Sequence, residues 1–112
     1  MDCIFCKIVK KEVVKEIILE NDSFLVFKDI HPKAETHVLI VLKEHIKSVD
    51  HVEKKDALVL GEIFLTAKEV AEKLDVSGNY KLAFNVGKEA GQLVDHIHMH
   101  LLAGEGKEVV GV

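Results

Sequence analysis

The sequence predicts an α+β fold built around an antiparallel sheet, and three observations carry that expectation. Short apolar segments alternate with turn-forming residues, one long segment bears a helical apolar stripe, and a late segment alternates histidine with apolar residues. Strands that follow one another through short turns pair antiparallel, and a single long helix then has one sheet face to cover.

The elements follow in order. From Cys3 to Lys10, apolar residues at Ile4, Phe5, Ile8 and Val9 predict one or two helical turns. Ile17-Ile18-Leu19 reads as a strand that ends in the turn residues Asn21-Asp22. Phe24-Leu25-Val26-Phe27 is a second strand, stopped at Asp29-Ile30-His31-Pro32, where the one proline stands. His37 to Leu42 is β-branched and largely apolar, as a central strand should be. Asp56 to Leu74 is the clearest helix, with Leu60, Ile63, Phe64, Ala67, Val70, Ala71 and Leu74 at three-and-four spacing. Asp56 supports its start and Gly78 lies past its end. Tyr80 to Val86 is a fourth strand, Gly87 to Gln92 a glycine-marked loop, and the histidine segment a fifth strand.

Composition limits the function. A chain of 112 residues is expected to form one domain, spanning residues 1–112. The net charge is −4 with no basic stripe, which argues against a nucleic-acid partner but leaves a single nucleotide open. All 15 basic residues are lysine, so a phosphate must be held by imidazole, amide, lysine or backbone N–H. No apolar run reaches the roughly 18 residues that a membrane span needs. The start, Met1-Asp2-Cys3-Ile4-Phe5-Cys6, lacks the pattern of a signal peptide, so a cytoplasmic location is expected.

His96-Ile97-His98-Met99-His100-Leu101-Leu102 is the most informative segment. On a strand, its three imidazoles share one face while Ile97, Met99 and Leu101 enter a core on the other. Residues two apart on a strand lie about 6.6 Å apart, so the outer pair is separated by about 13 Å. One metal ion with bonds of about 2 Å cannot collect all three. The histidines therefore have different tasks.

Two further features carry chemistry. Cys3-x-x-Cys6 fits a redox pair, half a metal site, or two core residues. A structural zinc would need two more donors, and His31, His37, His45, His51 and His96 are all available. The loop from Asn85 to Gln92 offers backbone N–H groups and two side-chain amides to a phosphate, just before the histidine row. Together these features point to a nucleophilic histidine aimed at phosphorus, with donors for the non-bridging oxygens.

The histidine row matches the histidine triad pattern, His-φ-His-φ-His-φ-φ with φ apolar. Over nearly its whole length the chain resembles the histidine triad (HIT) superfamily. Cys3 to Ile8, Phe27-Lys28-Asp29-Ile30, Thr36-His37-Val38-Leu39 and Ala90-Gly91-Gln92 look like its Hint branch of purine nucleotide phosphoramidases and hydrolases. The resemblance implies a five-stranded antiparallel sheet with one long helix and a short N-terminal helix. It also implies a homodimer whose two sheets join.

The resemblance further implies that His98 attacks the α-phosphorus and forms a nucleotidyl-histidine intermediate, flanked by His96 and His100. His100, Asn85, Gln92 and the backbone from Gly91 to Leu93 would bind the phosphate. Asp29 would bind the ribose, and Phe5, Ile18, Phe27 and Ile30 would lie near a purine base. His37 would stand close to the site. A structural zinc would be held by Cys3, Cys6, His45 and His96, with no organic cofactor. The chain departs from the pattern at Leu93, where a hydroxyl residue is common, at Asp95, and in a tail without tryptophan. The first departure keeps a second function in view, a nucleotide-binding or scaffold protein of negligible turnover.

Overall fold

The computed structural model describes residues 3–110. Eight main elements follow one another: α1 (Ile4–Val9), β1 (Ile17–Glu20), β2 (Phe24–Lys28), β3 (Thr36–Leu42), α2 (Ala57–Lys73), β4 (Lys81–Ala83), β5 (His98–Ala103) and α3 (Lys107–Val110). The strands form one sheet in the order β1-β2-β3-β5-β4, with every neighbouring pair antiparallel. The fold is α+β, as expected, with a long helix and a short N-terminal one. No helix among the described residues is long and apolar enough to cross a membrane.

The two faces of the sheet are covered differently. Val38, Ile40 and Leu42 of β3 join Met99 and Leu101 of β5 against Ile63, Ala67, Val70 and Ala71 of α2. On the opposite face Leu25, Phe27, Leu39 and Val41 meet Phe5 and Ile8 of α1. Both faces of β3 are therefore buried, which is why its sequence is a continuous apolar run rather than an alternation. Antiparallel register pairs Val41 with His98 and Leu39 with His100. Directly paired residues share a face, so both histidines emerge on the α1 side. α1 is short and leaves part of that face open.

Several expectations require correction. The fourth strand spans only Lys81–Ala83, because the chain leaves β5 after the Ala83–His100 pair and turns into the loop. His96 is not in the fifth strand, which begins at His98; its own N–H donates to Val94 O at 2.8 Å in a bend. Phe64 does not belong to the buried stripe and is 56% exposed, since it lies at the outward edge of α2. The helix is closed by Asp75 in the left-handed region (φ 60°), with Val76 N–H on Ala71 O, and not by Gly78. Asp56 stands at the N-cap of α2 but makes no side-chain bond to it; its carboxylate accepts Glu53 N–H at 2.9 Å and closes the single turn that precedes the helix. The turn at Lys88–Ala90 and the terminal helix α3 had no periodic signal and were not expected.

A candidate active site and a thiol–imidazole cluster

A cavity of about 640 Å³ opens on the α1 face of the sheet. His98 and His100 of β5 and His37 of β3 lie along it, with Phe5, Phe27, Asp29 and Ile30 on one side. Asn85, Gly91 and Leu93 border the other. Ten of the residues expected from sequence thus converge on one space. Ile18 does not; it packs on the α2 face. A register irregularity in β1 between Ile17 and Leu19 leaves Ile17, not Ile18, beside the Phe5–Phe27 cluster.

Gln92 is buried and absent from the cavity wall. Its Nε2 donates to Lys47 O at 2.8 Å and Val94 O at 3.0 Å, while Oε1 accepts Gly87 N–H at 2.9 Å. The side chain is committed to holding the loop against the body of the protein. Asn85 Nδ2 likewise donates to Ala90 O at 2.8 Å, and its amide borders the cavity. Gly91 takes a φ of 92°, closed to ordinary side chains, which closes this turn.

Backbone groups fix one ring nitrogen of His98, His96 and His37, which determines the other, and His37 in turn fixes His100. A carbonyl can only accept, so His98 Nδ1–H donates to His96 O at 2.7 Å. The lone pair of neutral His98 is therefore on Nε2. His96 Nε2–H donates to Leu42 O at 2.6 Å, which places its lone pair on Nδ1. A backbone amide can only donate: Lys33 N–H donates to His37 Nδ1 at 3.0 Å. His37 then carries its proton on Nε2 and donates it to His100 Nδ1 at 2.9 Å. His100 in turn keeps its proton on Nε2. The result is one ring nitrogen ready to attack (His98) and one N–H ready to donate (His100), their ring centres 5.0 Å apart.

Burial keeps these rings neutral. It lowers the pKa of His37, His96 and His98, and with the neighbouring rings of His98 and His37 it takes His100 to about 4. Phe5 stands edge-on to His98 with ring centres 5.0 Å apart and forms part of the apolar wall. Asp29 Oδ1 accepts His31 N–H at 2.8 Å, and Oδ2 lies 3.4 Å from His37 Nε2.

Beside the cavity, Cys3, Cys6, His45 and His96 bring two sulfurs and two nitrogens within 4.8 Å of one another. His96 Nδ1 is 3.3 Å from Cys3 Sγ, 3.5 Å from Cys6 Sγ and 3.1 Å from His45 Nδ1. Because Nε2 holds the proton, the nitrogen that faces the thiols is the one with a lone pair. Two soft thiols and two imidazoles suit a tetrahedral zinc. Asp29, His37 and His100 are equally close together, but His37 Nε2 retains its proton while Nδ1 accepts the Lys33 amide. That set is a hydrogen-bonded chain, not a metal cradle. His31 and His51 take no part in either cluster. Sequence reasoning could not find the backbone partners, since a carbonyl or amide carries no residue signature.

The buried histidines predict acid sensitivity. The folded pKa of His100, about 4, is below the ordinary value of about 6.5. Between those values the unfolded chain binds more protons, so stability is complete above about pH 6.5 and falls as pH falls toward 4. The loss from His100 is on the order of 3 kcal/mol, and His37 shifts in the same direction. Urea unfolding at pH 7, 5.5 and 4 should show midpoints that fall with pH, and a flat series contradicts the neutral buried chain.

Comparison with known proteins agrees with this geometry. The profile of the family described as "Scavenger mRNA decapping enzyme C-term binding" matches residues 2–109. An uncharacterized HIT-like protein of Synechocystis is 40% identical, with 92% of this chain and 90% of that protein covered. The solved HIT family hydrolase of Legionella pneumophila is 41% identical with a TM-score of 0.89, covering 93% of this chain and 94% of that one. The HIT family hydrolase of Clostridium thermocellum is 43% identical with a TM-score of 0.89, covering 93% and 91%. The chain belongs to the histidine triad superfamily.

Proposed function

We propose that this protein is a hydrolase that cleaves the bond between a nucleoside 5′-phosphoryl group and its leaving group, through a covalent nucleotidyl-histidine on His98. The observation that carries the reading is the His98 Nδ1–H bond to His96 O, which leaves the Nε2 lone pair for phosphorus. In the first step Nε2 attacks the α-phosphorus, and the bond to the leaving group breaks. The leaving group departs with the bonding pair and is protonated by solvent. In the second step water attacks the same phosphorus and loses a proton to solvent, the P–N bonding pair returns to Nε2, and the nucleoside monophosphate leaves with His98 restored.

The remaining wall fits this chemistry. His100 Nε2–H donates to a non-bridging oxygen, joined by Asn85 and the backbone from Gly91 to Leu93. Asp29 takes the ribose hydroxyls. The apolar surface of Phe5, Phe27 and Ile30 suits a flat purine, with Ile30 71% exposed at the rim. Both the phosphoramidates of the Hint branch and related phosphoanhydrides present the same phosphoryl group to His98.

Leu93 favours a second reading. It is 86% exposed at the border of the cavity and has no hydroxyl to assist a leaving group. On that reading the protein binds a nucleotide and turns it over negligibly. One experiment separates the two. Adenosine 5′-phosphoramidate carrying a radioactive phosphate should label the native chain on His98, and His98→Asn should lose about a thousandfold or more in kcat. Equal rates in both, with adenosine monophosphate still bound, establish the binding protein instead.

A structural zinc on Cys3, Cys6, His45 and His96 belongs to the same proposal. When bound it would tie α1 to the segment before β5 through bonds that hydrophobic contact alone does not supply. Elemental analysis of protein expressed with ample zinc should find one ion per chain, and Cys3→Ser should lower both zinc content and thermal stability. Zinc-free native protein of undiminished stability rejects this site.

A homodimer completes the reading. β4 is an edge strand, and α2 carries the exposed apolar residues Leu58, Phe64 and Leu65. Sedimentation equilibrium at micromolar concentration should return twice the chain mass of 12.5 kDa, and Leu65→Glu should halve it.

A further inference from the structure

The hydrogen-bonded chain that ends on His100 begins at the amide of Lys33, a residue that also borders the cavity. That amide belongs to the connection between β2 and β3, and the C-terminal tail holds the connection in place. Glu35 N–H donates to Glu105 O at 2.8 Å. Gly106, at a φ of 155°, lies so close that a Cβ there would be 2.6 Å from Lys33 O and 2.8 Å from Ala34 Cα. Gly104, at a φ of 81°, leaves room for the Glu35 side chain, which a Cβ would meet at 2.6 Å. Lys81 Nζ donates to Glu108 O at 2.7 Å, which fastens α3 to the edge strand. Glu108 itself reaches the cavity wall.

We propose that the tail from Gly104 to Val110 is a positioning element for His100: Gly106 sets the Lys33–Ala34 backbone, and the Lys33 amide sets the tautomers of His37 and His100. The inference rests on the reading that His98 and His100 handle a phosphoryl group. With the Lys33 N–H on Nδ1, His37 must donate from Nε2, and His100 must present Nε2–H. If the amide withdraws, the proton of His37 is free to move to Nδ1. His37 Nε2 then accepts, His100 Nδ1 donates, and His100 Nε2 becomes a lone pair that repels a phosphate oxygen. Asp29 Oδ2, 3.4 Å from His37 Nε2, is beyond good hydrogen-bond range and does not fix the proton alone. Gly106, Lys33 and His37 act here by positioning His100; Lys33 and His37 also border the cavity, so the tautomers rather than the rate carry the test.

Imidazole ¹⁵N NMR of the full-length protein, free of substrate, tests this. The native chain should show His37 and His100 both protonated on Nε2. Gly106→Ala, which drives a methyl into Lys33 O, should convert both to mixed tautomers and lower kcat/KM for adenosine 5′-phosphoramidate about tenfold. Lys33→Pro removes the N–H without adding bulk at Gly106 and should do the same, so it decides the matter if Gly106→Ala does not fold. Native His37 protonated on Nδ1, or unchanged tautomers in the folded variants, overturns the proposal. Tautomers that shift as expected in a protein without turnover sustain the positioning role and reject the hydrolase.

Discussion

One nitrogen of each histidine along β5 and β3 is tied to a neighbour of fixed polarity, and the chemistry of the site depends on that constraint. Neutral imidazole has one donor and one acceptor, so a bond to a carbonyl or an amide at one nitrogen decides the other. The carbonyl of His96 leaves the lone pair of His98 on Nε2, and the carbonyl of Leu42 leaves that of His96 on Nδ1, facing the thiols. The amide of Lys33 makes His100 a hydrogen-bond donor. Three side chains of one type acquire three roles without any difference in their own covalent structure. Burial supports this by keeping the rings uncharged, since a protonated ring would be a donor at both nitrogens and the distinction would vanish.

The sheet makes the constraint possible because its faces are unlike. α2 covers one face, and the buried side chains beneath it are apolar, with Phe24 among aliphatic residues and Met99. α1 is a six-residue helix and covers only part of the other. The uncovered part is where β3 and β5 display His37, His98 and His100. A longer first helix would have buried the same strands as ordinary core. α1 also carries Phe5, which closes the apolar side of the cavity, and Cys6, with Cys3 at its N-cap. The thiol–imidazole cluster therefore fastens the same helix that borders the cavity, and His96 belongs to both structures at once. Its ring faces the thiols while its carbonyl faces His98.

In the sequence, the site was legible where residue type carries the information. Alternating histidines announce a strand with a chemical face, the paired cysteines announce a metal or redox option, and the glycine-marked loop announces a turn able to face a phosphate. Ile18 and Gln92 are the two expected site residues that the fold takes elsewhere. A bulge in β1 moved the first to the far face, and three backbone bonds absorbed the second. Neither cause is written in local composition.

The sequence by itself determined the α+β class, the order of the five strands along the chain, the long helix and the segment that bears the chemistry. Each of these follows from hydrophobic period and turn residues, which act over a few neighbouring positions. Only the tertiary structure decided that His96 lies outside the strand, that His37 joins His100, and that the tail reaches the Lys33 segment. Those facts depend on contacts between positions 63, 90 and more residues apart, such as His37 with His100 and Cys6 with His96. The partners there are often backbone groups, identical in every residue. A sequence names side chains, whereas the directions of its carbonyls and amides exist only once the chain has folded.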